Sequence, residues 1–175
     1  MILNEIKLFC TDIDGVWTDG SMYYSERGDE IKKFHTYDSA GVIFLNEMGI
    51  KTVIITGENT DIVKRRADKL GIKHTYQGIS DKLSLCKKLC EKEKITLSNI
   101  AYIGDDLNDL SLLKNVGLSA CPDNAPFYIK DNVDWVIPIN GGSGAFRFFV
   151  EKYLKSIGKL EFLIDKISKN NISKG

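Results

Sequence analysis

Short runs of consecutive apolar residues alternate along this chain with longer stretches in which apolar positions recur every three or four residues. The runs are Ile6–Cys10, Thr52–Ile55, His74–Tyr76, Ile100–Ile103, Leu118–Ala120 and Trp135–Ile137. Each is too short for a helix and is rich in β-branched or aromatic residues, so each reads as a strand. Continuous apolar character marks strands covered on both faces, as in a parallel sheet. Between them the spacing predicts helices. One opens at Asp38 or Ser39 and stops before Gly49, and another runs from Asp61 to Leu70, stopped by Gly71. Ser80 is placed to cap a third, over Asp81–Lys92, and two more follow at Ala145–Ser156 and Lys159–Lys169. Met22–Tyr24 and Glu30–Phe34, joined by the turn Ser25–Asp29, predict a β-hairpin. The expectation is an α/β fold: a Rossmann-like parallel sheet covered by helices, in one domain over 1–175. A hairpin flap occupies about 20–36 and a helical tail about 158–175, with polar final residues expected to fray.

Composition narrows the partners. Apolar residues make up 43% of the chain and charged residues 27%, ordinary for a globular protein. Lys plus Arg equals Asp plus Glu, at 24 each, so no net field points to nucleic acid or an anionic membrane. No stretch approaches the ~18 apolar residues of a membrane span. Asn4, Glu5 and Lys7 interrupt any leader-like run, which makes the cytoplasm the expected compartment. Cys10, Cys86, Cys90 and Cys121 form no C-x-x-C pair and read as reduced, packed thiols.

Charge matters here by position. Asp12 and Asp14 follow the first strand, Thr56-Gly57 ends the Thr52–Ile55 strand, and Asp105, Asp106 and Asp109 follow Ile100–Ile103. Ligands of open parallel sheets bind beyond the carboxyl ends of the strands, so these segments can share one crevice. Carboxylates gathered there repel one another, and a hard cation such as magnesium relieves that cost. An aspartate can attack phosphorus, and an acid two residues on can protonate the leaving oxygen. Thr56, the Gly57 N–H and Lys82, in the first turn of its helix, are the expected donors to a phosphoryl group. Any one acidic cluster could equally be a solvated loop; the ordered set of four is the specific signal. His35 and His74 have no evident triad partners. Gly141-Gly142-Ser143-Gly144 lacks the lysine spacing of a phosphate loop and reads as a turn into the following helix, with Arg147 a candidate for the site or an interface. Phe146, Phe148 and Phe149 cannot all face one core side, so one or more of them is expected at a subunit interface.

Taken together, Asp12-Ile13-Asp14-Gly15-Val16-Trp17-Thr18-Asp19-Gly20, Thr56-Gly57, Lys82 and Gly104-Asp105-Asp106-Leu107-Asn108-Asp109 resemble the haloacid dehalogenase superfamily over nearly the whole chain. With only a hairpin between the first two motifs and no separate cap domain, the chain is similar to the capless branch of sugar-acid phosphate phosphatases. The resemblance implies a magnesium-dependent phosphatase with Asp12 as nucleophile and Asp14 as general acid/base. It implies metal ligation by Asp12, Asp14 (through its backbone carbonyl) and Asp105. It also implies phosphate binding by Thr56, Gly57 and Lys82, with Asn108 and Asp109 in support. Thr36, Asp38, Ser39, Ala40 and Gly41 would face substrate. A homotetramer is implied, in which a neighbour closes each site. Glu58 stands where octulosonate 8-phosphate phosphatases usually carry arginine; with Trp17 and the Asp38–Gly41 stretch it favours a nononate 9-phosphate substrate. Arg66 and Lys69 would then supply the cation for the sugar carboxylate, against the plain alternative of a solvated helix face. The octulosonate substrate stands second. Two other classes remain: a non-catalytic assembly module, expected to have lost some of these residues, and a nucleotide-sugar transferase, which leaves Thr56, Lys82 and the second acidic cluster unexplained.

Overall fold

The structure is a computed structural model that describes residues 5–28 and 30–172, with side chains through 169. In chain order its elements are β1 (Leu8–Thr11), a hairpin of β2 (Tyr23–Tyr24) and β3 (Glu30–Ile31), α1 (Asp38–Glu47), β4 (Lys51–Ile55), α2 (Asp61–Lys69) and β5 (His74–Tyr76). Then come α3 (Lys82–Glu93), β6 (Ile100–Ile103), α4 (Leu107–Leu113), β7 (Leu118–Pro122), α5 (Phe127–Lys130), β8 (Trp135–Ile137), α6 (Ala145–Ser156) and α7 (Leu160–Ile172). Six strands form one sheet in the order β5-β4-β1-β6-β7-β8, and every pairing in it is parallel. The expected α/β architecture is therefore present, with helices on both faces.

Side-chain alternation along the strands divides the core in two. Phe9, Ile54, Ala101 and Ile103 point to one face, where they meet α1, α2, α6 and α7 through Leu45, Val63, Phe146, Phe149 and Leu163. Leu8, Cys10, Val53, Ile55, Ile100 and Tyr102 point to the other, against Cys86 and Leu89 of α3 and Leu112 of α4. Phe146 and Phe149, three residues apart, are fully buried, while Phe148 is only partly so. All four cysteines are buried and free.

Several boundaries differ from expectation. The hairpin strands pair over only two residues each, Tyr23 with Ile31 and Tyr24 with Glu30, and Asp29 of the expected turn lies outside the described residues. The cap of α3 is Asp81 rather than Ser80: its Oδ1 accepts from the Ser84 N–H at 2.9 Å. Helix α4 was not expected, because Asp106 and Asp109 read only as members of an acidic cluster beside the crevice. They also form a capping box that opens a seven-residue helix. Helix α7 runs past Lys169 to Ile172.

The role of Asp38 also differs. It begins α1 but does not cap it. Helix α6 starts after Gly144, which has φ 97° and no side chain to offer, and there Asp38 Oδ1 accepts the Arg147 N–H at 3.1 Å. Asp38 thus caps a helix that begins more than 100 residues later, while Gly41 lets the Phe146 ring pack at what would be 3.1 Å from a Cβ. Burial raises the Asp38 carboxyl to about 6, against the pull of the Arg147 N–H and the Arg66 charge. We expect Asp38→Ala to cost about 1–2 kcal/mol in urea unfolding, the usual range for a lost cap. Asp38→Asn, which keeps the acceptor and removes a buried charge, should cost less than half of that loss.

Candidate active site

Chain order reverses at β1, which lies between β4 and β6. The carboxyl ends of these three strands open on a crevice of about 250 Å³ lined by Asp12, Asp14, Thr56, Gly57, Glu58, Asp105 and Asn108. Two glycines permit this convergence. Gly15 has φ 84°, and a Cβ on it would lie 1.9 Å from Asp105 Oδ2. A Cβ on Gly104 would lie 2.4 Å from the Asp109 carboxyl carbon. No side chain fits at either place.

Lys82 sits behind the crevice at the first position of α3, with none of its side chain exposed. Its ammonium lies 2.9 Å from Asp12 Oδ2, 2.6 Å from Asp109 Oδ1 and 3.3 Å from the Tyr102 hydroxyl. Burial would lower its pKa, but the charges of Asp12 and Asp109 outweigh that and raise it. Asp109 is fully engaged: Oδ1 takes Lys82 and the Tyr102 hydroxyl, and Oδ2 takes the N–H groups of Asp105 and Asp106. It braces Lys82 and the Gly104–Asp106 turn.

Asp12, Asp105 and Asp109 bring carboxylate oxygens within 4.8 Å of one another. Because Asp109 is saturated, Asp12 and Asp105 hold the free lone pairs, and Asp105 Oδ1 is buried with no partner. Burial raises Asp105 to about 8, helped by the charges of Asp12, Asp109 and Asp106. Asp12 is raised to about 7 by burial and Asp109, with Lys82 opposing. Two such carboxylates with an orphaned oxygen suit a hard divalent cation. Among the expected ligands, the structure brings Asp12 and Asp105 together. The Asp14 side chain is committed elsewhere, which leaves its backbone carbonyl as the atom for that role.

Asp14 Oδ1 accepts from the Thr18 hydroxyl at 3.3 Å and from the Lys32 ammonium at 2.7 Å. Lys32 also binds Glu58 Oε2 at 2.6 Å. Burial opposes the Lys32 charge, but its bonds to Asp14 and Glu58 prevail and raise its pKa. Glu58 is thus ion-paired with a lysine of its own chain, which Asp14 shares. Sequence reading missed Lys32 and Tyr102. Lys32 stands at an inward-facing hairpin position, in step with half-buried Phe34, and a lysine on that face was the available signal. Tyr102 was hidden in an apolar strand.

The remaining expected residues lie apart from the crevice within one chain. Arg66 donates from Nη2 to the His35 carbonyl at 3.2 Å and lies 5.6 Å from the Phe34 ring, and Lys69 is exposed. Asp38 and Gly41 serve the α1–α6 contact described above. Ser39 turns its hydroxyl onto the Thr36 carbonyl, Thr36 is exposed and Ala40 half-buried. Arg147 pairs with Glu151 at 2.6 Å and covers the Tyr37 ring.

A profile of haloacid dehalogenase-like hydrolases matches residues 75–149. The chain is 38% identical over 157 residues to the 3-deoxy-D-manno-octulosonate 8-phosphate phosphatase of Haemophilus influenzae, covering 90% of this chain and 87% of that one. It is 39% identical to the phosphatase of the same name from Escherichia coli K12, with 90% and 84% covered. Among solved structures, a probable phosphatase of Pseudomonas syringae superposes with a TM-score of 0.89 at 41% identity, over 93% and 92% of the two chains. The 3-deoxy-D-manno-octulosonate 8-phosphate phosphatase of Moraxella catarrhalis, solved in complex with a magnesium ion, a phosphate ion and a KDO molecule, also gives 0.89, at 38% identity and 93% coverage of each. These relatives support the octulosonate branch, not the nononate branch favoured from Glu58. By length, identity and fold, this chain belongs to the haloacid dehalogenase-like hydrolase family.

Proposed function

We propose that this single-domain chain is a cytoplasmic phosphatase that hydrolyses 3-deoxy-octulosonate 8-phosphate, or a sugar-acid phosphate very close to it, through an aspartyl-phosphate. The observation that carries the chemistry is the buried Asp12 beside Lys82 and Asp105 at the mouth of β1. Relatives named as octulosonate 8-phosphate phosphatases, matched over most of their length, support the substrate. Among the described residues no helix is long and apolar enough to cross a membrane.

In this reading Lys82 holds an Asp12 oxygen and a phosphate oxygen on one side, and Thr56 with the Gly57 N–H holds the phosphate on the other. Asp12 attacks phosphorus, and Asp14 gives a proton to the departing sugar oxygen. Asp14 then takes a proton from the water that releases phosphate. Magnesium, held by Asp12, Asp105 and the Asp14 carbonyl, would offset the charge of the transferring phosphoryl group. The hairpin leaves Tyr23 46%, Tyr24 71% and Ile31 63% exposed, which suits burial against other copies in a homotetramer.

Phosphate release with magnesium, compared across octulosonate 8-phosphate, nononate 9-phosphate and N-acetylneuraminate 9-phosphate with a chelator control, should favour the eight-carbon acid. A nine-carbon preference would overturn the substrate and keep the mechanism. Asp12→Asn should lower kcat at least ~10³-fold, about 4 kcal/mol of barrier, with unchanged circular dichroism; retention of a tenth of the rate would remove Asp12 as nucleophile.

The raised carboxyls predict a pH signature. Their folded pKa values, about 7 and about 8, exceed the unfolded value of about 4. They stabilise the metal-free fold at low pH, and that contribution is lost as pH rises through the folded values. A divalent cation binds the deprotonated groups. Magnesium should therefore raise Tm more at pH 8 than at pH 6, by about twofold or more; an equal shift at both would count against metal binding here. Light scattering at micromolar concentration should give a tetramer mass, and a monomer would refute the assembly.

A further inference from the structure

The segment Glu30-Ile31-Lys32-Lys33-Phe34 leaves the hairpin with alternating faces. Ile31 is 63% exposed and Lys33 is exposed, yet Lys32 turns inward and only 1% of its side chain meets solvent. Lysine is almost never buried so completely unless it is paired. Its ammonium has three protons to give. Asp14 and Glu58 receive them at 2.7 and 2.6 Å, and Glu30 Oε1 lies 3.7 Å away. With three carboxylates around one ammonium, the cluster is net negative. It is therefore poorly suited to capture the anionic substrate, and its role must be sought in what it does to its partners.

Asp14 is the partner with chemistry to perform. Its Oδ1 is held twice, by Lys32 and by the Thr18 hydroxyl, whose oxygen in turn receives the N–H groups of Gly15 at 3.3 Å and Gly20 at 3.2 Å. Its Oδ2 is buried and has no partner. One oxygen is fixed and the other is bare, so the carboxyl cannot turn without losing two hydrogen bonds. Glu58 follows the Thr56-Gly57 phosphate-binding pair and lines the crevice. By binding Lys32 it ties the hairpin to the loop after β4.

We propose that Lys32 is a positioning residue: by clamping Asp14 Oδ1 it fixes where the Asp14 carboxyl stands in the crevice, within reach of the leaving-group oxygen, and Glu58 keeps Lys32 in place. This rests on the phosphatase reading above. In the first step an Asp12 oxygen bonds to phosphorus, the bond from phosphorus to the sugar oxygen breaks, and the proton of the Asp14 carboxyl passes to that oxygen. In the second, water attacks phosphorus, its proton passes to the Asp14 carboxylate, and the bond from Asp12 to phosphorus breaks. Lys32 takes no proton in either step.

Leaving-group dependence separates this role from simple anchoring of the hairpin. A nitrophenolate departs without a proton, whereas a sugar alkoxide needs one. The test uses the full chain with magnesium. It measures the single-turnover phosphorylation rate with 4-nitrophenyl phosphate and with a sugar-acid phosphate that the unmodified protein turns over. In Lys32→Met the ratio of aryl to sugar rate should rise at least about tenfold, a small part of what a general acid contributes. Lys32→Arg should recover part of the sugar rate. Glu58→Gln should shift the ratio in the same direction and add little to Lys32→Met, as expected of residues acting through one contact. If Lys32→Met does not fold, Glu58→Gln carries the same test from a half-exposed position. Equal loss with both substrates, or a loss confined to KM, would overturn the proposal and leave Lys32 as an anchor. A protein that bound magnesium but turned over neither substrate would fail differently, by overturning the phosphatase reading itself.

Discussion

Lys82 stands at the first position of a helix, where the dipole opposes its charge, and its side chain has no exposed surface. A buried ammonium in that place is tolerable only between anions, and leaving it unpaired would cost several kcal/mol. Asp12 from β1 and Asp109 from α4 are those anions. The rest of the site follows from keeping them there. Gly104 has no side chain so that Asp109 can fold back, and Asp109 spends its second oxygen on the turn that presents Asp105. Tyr102 faces α3 within the apolar layer so that its hydroxyl can complete the cluster.

The same charges explain why the crevice suits both a cation and a phosphate. Asp12 and Asp105 are pushed toward protonation by burial and then by neighbouring carboxylates, Asp109 for Asp12 and chiefly Asp12 for Asp105. A divalent cation held by Asp12 and Asp105 would relieve that strain and offset the negative charge of the crevice. A second cluster, around Lys32, joins Asp14, Glu58 and the hairpin. Each lysine holds one carboxylate of the crevice, Lys82 that of Asp12 and Lys32 that of Asp14.

Away from the crevice, stability is arranged by similar long-range pairing. Helix α6 lacks a capping side chain of its own, and α1 supplies one through Asp38. That contact, with Phe146 packed over Gly41, sets α1 against α6 beneath the hairpin exit. Arg66 reaches the His35 carbonyl from α2 and steadies the same exit. Residues that looked ready to face substrate thus hold the frame from which the hairpin extends.

The sequence by itself determined the strands, the order of the motifs and the class of chemistry. Buried parallel strands leave continuous apolar runs, and an acid placed directly after such a run must lie at the sheet's carboxyl edge. Asp12, Asp14, Thr56 and Asp105 could be placed at that edge for that reason, and Lys82 in the first turn of its helix. Helix α4 was not legible, because Asp106 and Asp109 serve as cap and brace as well as acid, and one residue type carried both signals. The hairpin lysine, the cross-helix cap and the partner of Glu58 were decided only in the tertiary structure. Lys32 meets Asp14 across 18 positions and Glu58 across 26, and Asp38 meets Arg147 across 109. Periodicity tells which face of an element a residue occupies, but a charge takes its partner from whatever the packed fold brings within hydrogen-bond reach.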